Sequence, residues 1–92
     1  MKKIYLNGYI DVPEEALDMV NDALVEHIRL TRLEEGCEKF EVTLSQEKSG
    51  RFDVSEIFTS KESFELHQMR VKNSHWGEVT KNFERYYKVE EK

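Results

Sequence analysis

Apolar and polar residues alternate from residue 4 to residue 12. Ile4, Leu6, Ile10 and Val12 point one way, and Tyr5, Asn7 and Tyr9 the other. That period of two predicts a strand with large side chains on both faces. Gly8 falls on the Ile/Leu side, which predicts close approach of another backbone or a ring. Pro13, Glu14 and Glu15 then open a helix: proline tolerates a first turn, and two acids suit the positive end of the helix dipole. Leu17, Val20, Leu24, Ile28 and Thr31 follow at spacings of three and four, an amphipathic stripe. Gly36 is a natural left-handed stop.

A second strand is predicted over 37–46, with Phe40, Val42 and Leu44 alternating. Glu47-Lys48-Ser49-Gly50 reads as a turn. A third strand follows over 51–59, with Phe52, Val54, Glu56 and Phe58 on one face, so the two form a hairpin. Ser60 to Ser63 resembles a capping box. Phe64, His67, Val71 and His75 then recur at helical spacing, with Gly77 expected to interrupt. A last strand is predicted over 83–90, with Phe83, Arg85, Tyr87 and Val89 on one side and Tyr86 on the other.

The order is β-α-β-β-α-β. Right-handed crossovers and the short hairpin favour an α+β, ferredoxin-like sheet of four antiparallel strands with both helices on one face. One domain spans residues 1–92, since so short a chain supports one small core. The first strand is bulky on both faces and two helices cover only one. A homodimer with sheets face to face is the economical cover for the other.

Composition narrows the functions. Fourteen Lys and Arg against 19 Asp and Glu give a net charge of −5. That excess argues against a general nucleic-acid binder and against an anionic membrane surface. No apolar run approaches the ~20 residues that span a bilayer, and the first residues lack the apolar stretch of a signal peptide. The single cysteine, Cys37, excludes an internal disulfide framework and suits a reducing cytoplasm. No phosphate-binding glycine loop, serine nucleophile elbow or Cys-x-x-Cys pair is present. The charges from Glu14 to Glu35 read as a solvated helix face.

A few residues are candidates for chemistry. His67 and His75 lie eight apart, ~12 Å along one helix, too far to share a metal through that helix alone. Each is either a half-buried packing histidine or a pocket residue that exchanges a proton near neutral pH. Asn7 sits mid-strand, where asparagine is disfavoured. It either bonds a neighbouring loop or holds a substrate oxygen. Glu56 interrupts an apolar face, so it needs a partner or a raised pKa. Arg85 is the candidate partner. Phe40, Phe58, Phe64 and Trp76 either wall a cavity for a planar ligand or are simply core. Cys37 lies in no basic motif and reads as a small buried residue.

Three strings carry a resemblance. Arg32-Leu33-Glu34-Glu35-Gly36-Cys37 with Phe40 resembles the R-x-E-x-G-C…F signature of the antibiotic biosynthesis monooxygenase family. Phe52 to Ser60 resembles its F-x-x-x-E-x-[WF]-x-[ST]. Phe64-Glu65-Leu66-His67 with Ser74-His75-Trp76 resembles its F-x-x-H…S-x-H-[FW]. The order and spacing hold from Tyr5 to Val89. The resemblance implies a dimeric α+β barrel with a pocket in each protomer between sheet and helices.

Several relatives are monooxygenases that oxidise phenols or quinols with O2 and use no metal, flavin or haem. By that resemblance His67 is the general base and Asn7 orients oxygen. Trp76 with Phe64 forms a slot for a small aromatic substrate, and His75, Phe40 and Glu56 complete its lining. Other relatives degrade haem; Asn7 and His75 approximate their asparagine and iron ligand, while His67 stands at their tryptophan position. Others process phosphorylated sugars, for which no basic pair is evident here. A non-enzymatic dimer that binds a small ligand is the third alternative.

Overall fold

The computed structural model describes residues 2–92. Seven elements follow in order: β1 (Ile4–Asp11), α1 (Leu17–Arg32), β2 (Cys37–Leu44), β3 (Arg51–Phe58), α2 (Lys61–Lys72), α3 (His75–Thr80) and β4 (Arg85–Glu91), with a 3-10 turn over Glu14–Ala16 before α1. The strands form one antiparallel sheet in the order β2-β3-β1-β4. This is the ferredoxin-like α+β arrangement.

The period-two pattern decides which face is covered. Ile4, Leu6 and Ile10 on β1, Phe40 and Val42 on β2, and Phe52, Val54 and Phe58 on β3 are all buried. All of these but Ile4 and Phe58 form one cluster with Val20, Ala23 and Leu24 of α1 and Trp76 of α3. Burying an aliphatic or aromatic side chain of this kind stabilises by roughly 2 kcal/mol. Tyr5, Asn7, Tyr9, Ser55 and Ile57 alternate onto the opposite face, which no helix among the described residues covers.

Three local expectations change. The stripe on α1 continues as predicted, but the helix ends at Arg32 and Gly36 has no positive φ. A Cβ at Gly36 would overlap the Ser63 side chain. The glycine therefore lets the loop after α1 lie directly on the first turn of α2. The Thr59 N–H donates to the Gly36 carbonyl oxygen at 2.9 Å and fastens it there.

The second helix breaks at Asn73 and Ser74, before Gly77. Ser74 caps α3 by accepting from the Gly77 N–H at 3.1 Å, and its hydroxyl donates to the Val71 carbonyl at 2.7 Å. Gly77 belongs to α3, and a Cβ there would overlap the Val71 carbonyl oxygen. Its missing side chain lets α3 fold back across the end of α2 and turn Trp76 into the core. β4 begins at Arg85, two residues later than the pattern suggested, because the Phe83 N–H still donates to Thr80. Gly8 does mark a close approach, of the β4 backbone at Tyr86.

At Ser60 the capping box is present, but its reciprocal partner is Ser63, with no acid required. The hairpin turn closes at Gly50, whose φ of 79° suits glycine.

Replacing Gly77 by alanine is expected to destabilise the protein by about 1–3 kcal/mol, because backbone must move to admit the methyl group. A urea unfolding midpoint equal to the wild type would refute the close approach of α3 to α2.

Candidate functional site

Three segments converge on one imidazole. His67 lies on α2, three residues after Phe64 and four before Val71, and is 2% exposed. Glu56 is brought beneath it by the inward parity of β3, between Val54 and Phe58. Glu34 arrives from the loop that Gly36 holds against α2. Each of the three strings noted in the sequence contributes one of these residues.

The His67 Nδ1 lies 2.8 Å from Glu34 Oε1. A carboxylate can only accept, so Nδ1 carries the proton and donates it. The other nitrogen, Nε2, is thereby left with its lone pair and lies 3.7 Å from Glu56 Oε1. That separation is too long for a hydrogen bond. Arg70 clamps Glu34 from the far side: its Nε donates to Glu34 Oε2 and its Nη2 to Thr31 Oγ1 at 2.8 Å.

Burial sets the proton affinities. His67 is pushed below the usual histidine range by desolvation, against the pull of Glu34. Glu56 is pushed up to about 8, first by burial and then by the negative charge of Glu34. It therefore holds its proton at neutral pH. Its Oε1 has no hydrogen-bond partner among the described residues. The site thus pairs a buried acid with a buried base and leaves space between them.

A cleft of about 590 Å³ opens on this pair between the sheet and the helices, walled by Leu6, Glu56, His67, Trp76 and Tyr87 among others. His27, on the buried stripe of α1, stacks on Trp76 with centroids 4.8 Å apart and planes 3° from parallel. Burial pushes His27 down to about 3, so it stays neutral. Its Nδ1 also lacks a partner among the described residues. Phe58 closes over the His67 ring at 4.7 Å.

The predicted site residues divide. His67, Glu56 and Trp76 stand together on the cleft wall. Phe40 is buried behind them, edge-on to His27 and His67. Phe64 packs on Phe58 and is not part of the wall. Asn7 is on the other side of the sheet: it is exposed and its Oδ1 accepts from Ser55 Oγ at 3.0 Å. One step of strand parity separates it from Leu6 and the cleft. His75 is exposed and borders a separate depression of about 160 Å³ between α1 and α3. Arg85 does not pair with Glu56, because its guanidinium donates to the Thr80 and Phe83 carbonyls. Cys37 is half-buried and its thiol is pushed up by burial, as a packing residue should be.

Two residues of the site escaped the sequence. Glu34 falls among the charges that read as a solvated face, and His27 carries no expectation from the sequence. His27 continues the α1 stripe, three after Leu24, and that spacing is its signal. Glu34 lies beyond the end of α1, and its signal is its place in the Arg32-Leu33-Glu34-Glu35-Gly36-Cys37 string.

Glu56 gives a pH test. An acid whose pKa rises on folding stabilises below its unfolded value, and that stability is lost as pH climbs from about 4.5 toward 8. Glu56→Gln cannot ionise and escapes the loss. The variant is expected to gain on the wild type between pH 5 and 8, by up to a few kcal/mol. Equal differences in urea midpoint at the two pH values would show that Glu56 is not protonated by burial.

Comparison with known proteins agrees with this architecture. No protein with a curated description matched. Among solved structures, a conserved protein of unknown function from Bacteroides thetaiotaomicron VPI-5482 shares 20% identity, with 99% of this chain and 96% of that one aligned and a TM-score of 0.79. A candidate antibiotic biosynthesis monooxygenase from Caulobacter crescentus CB15 aligns over 96% of this chain and 87% of its own, at 14% identity and a TM-score of 0.80. A candidate of the same description from Nitrosomonas europaea covers 99% and 88%, at 14% identity and a TM-score of 0.76. At these identities the likeness speaks for the fold alone. The model of one family, antibiotic biosynthesis monooxygenase, matches residues 3–88, and with nearly the whole chain inside that match the protein belongs to this family.

Proposed function

We propose that the protein is a monooxygenase that oxidises a small phenolic or quinol-like substrate with O2, without metal, flavin or haem. The observation that carries this is the buried His67, whose Nε2 lies 3.7 Å from the buried Glu56 Oε1 on the wall of the cleft. Family membership points the same way.

The chemistry needs little from the protein. A phenol that loses its proton becomes an electron-rich anion that O2 can oxidise. His67 Nε2 takes that proton. The overall change is SH2 + O2 → SO + H2O, in which the substrate supplies all four electrons. One oxygen atom stays on the ring and the other leaves as water. Glu56, on the same wall, is placed to hydrogen-bond a substrate oxygen. The parallel Trp76 and His27 rings offer a flat wall for the substrate. Asn7, Phe64 and His75 have no part in this scheme.

Haem cleavage is less well supported, because His75, the iron ligand it would use, is not on the wall of the 590 Å³ cleft. A homodimer remains part of the proposal. Tyr5, Tyr9 and Tyr86 on the uncovered sheet face supply apolar area for a second copy, with the Tyr9 and Tyr86 rings 5.9 Å apart. A light-scattering mass of one chain at micromolar concentration would remove it.

Oxygen consumption with a hydroquinone panel tests the activity. Wild type is expected to consume one O2 per substrate, and His67→Gln to lose about a hundredfold or more in kcat while keeping the far-UV circular dichroism of the fold. Binding without oxygen uptake by any panel member would mark a ligand-binding module and overturn the oxygenase assignment.

A further inference from the structure

His67 stands between two clefts. Its ring borders the inner one beside Glu56. It also borders an outer cleft of about 730 Å³, beside Glu34, Arg70 and the first turn of α2. Being 2% exposed, it offers almost no surface to bulk water. Glu34 does: it is held on His67 Nδ1 at 2.8 Å, yet its side chain is 20% exposed and lies on the outer cleft. We propose that His67 and Glu34 form a proton relay through the wall between the clefts, joining the buried site beside Glu56 to water, with Arg70 as the residue that positions Glu34.

The relay rests on the acid–base role of His67 proposed above and adds the route by which its proton leaves and returns. When a proton from the inner cleft arrives on Nε2, the proton on Nδ1 passes to Glu34 Oε1, and Glu34 releases it to the outer cleft. The imidazole is then left as its other tautomer. A second passage in the opposite direction restores it: Nε2 gives its proton to the departing oxygen while Nδ1 is reprotonated through Glu34. One proton goes out when the phenol ionises and one comes in when water forms. The cycle therefore balances and resets, and no electron crosses the wall.

The surroundings favour that single path. The ionisable groups that face His67 are Glu34 from the loop after α1, Arg70 from its own helix, Glu56 from β3 and His27 from α1. Arg70 cannot give up its proton. His27, pushed down to about 3, does not compete for one. The Arg70 contacts to Glu34 and Thr31 hold the outer carboxylate in line.

Glu34→Gln separates transfer from packing. A glutamine oxygen can still accept from Nδ1, with its NH2 turned to the Arg70 side in place of the second carboxylate oxygen, but the amide cannot carry the proton; the buffer rescue below separates that lost contact from lost transfer. Stopped-flow mixing with 4-nitrophenol reads ionisation of a bound phenol through the absorbance of its phenolate, independently of any reaction with O2. Glu34→Gln is expected to slow that ionisation at least about tenfold with unchanged 4-nitrophenol affinity. Added imidazole buffer is expected to restore the rate, and Glu34→Asp to retain most of it. In oxygen uptake the same variant is expected to lower kcat and spare KM. Wild-type protein that fails to ionise the phenol, a rate unchanged in Glu34→Gln, or a slowed rate that buffer does not rescue overturns the relay. Slowed and rescued ionisation without any oxygen uptake supports the relay while defeating the oxygenase.

Discussion

Everything at the centre of this molecule answers to one constraint: an ionisable ring and a carboxyl group have been taken out of water together. Burying His67 and Glu56 between sheet and helices disfavours the charged form of each. A neutral acid facing a neutral base is the consequence. Glu34, held by Arg70 in an ion pair at the edge of the wall where both charges still reach solvent, accepts from the His67 Nδ1–H. A buried polar pair left without such support would cost several kcal/mol.

The backbone details that look incidental serve this arrangement. Gly36 removes the side chain that would hold the loop off α2, and so lets Glu34 reach the ring. The break at Asn73 and Ser74, with Gly77 against the Val71 carbonyl, folds α3 across the end of the cleft and brings Trp76 onto His27. Without these close approaches the same side chains would stand on neighbouring elements with water between them. Aromatic rings then seal the interior side, Phe58 over His67 and Phe40 edge-on behind it.

Legibility differed from residue to residue for physical reasons. Glu56 was visible as a charge on an apolar face, and the side chain proved buried on the cleft as that anomaly requires. Asn7 shared the same kind of oddity, but strand parity puts it with Tyr5 and Tyr9, away from the helices. Its bond to Ser55 is the ordinary satisfaction of a surface amide. Arg85 had the right parity to meet Glu56, yet the carbonyls at the end of α3 are nearer and take its donors. His75 followed the helical repeat of His67 only while one helix was assumed; the break before α3 redirects it.

Sequence by itself determined what repeats within a single element: the buried faces of β1 and β3, the α1 stripe, the hairpin turn, the β-α-β-β-α-β order and the motifs that mark the family. These follow from periods of two and 3.6 residues, which are local properties of the backbone. Only the tertiary structure decided which charges meet. Glu34 and His67 are 33 residues apart, and their separation depends on where the chain crosses over the sheet and how closely two backbones can approach. No local period encodes that distance, and it is the distance that turns two acids and a histidine into one site.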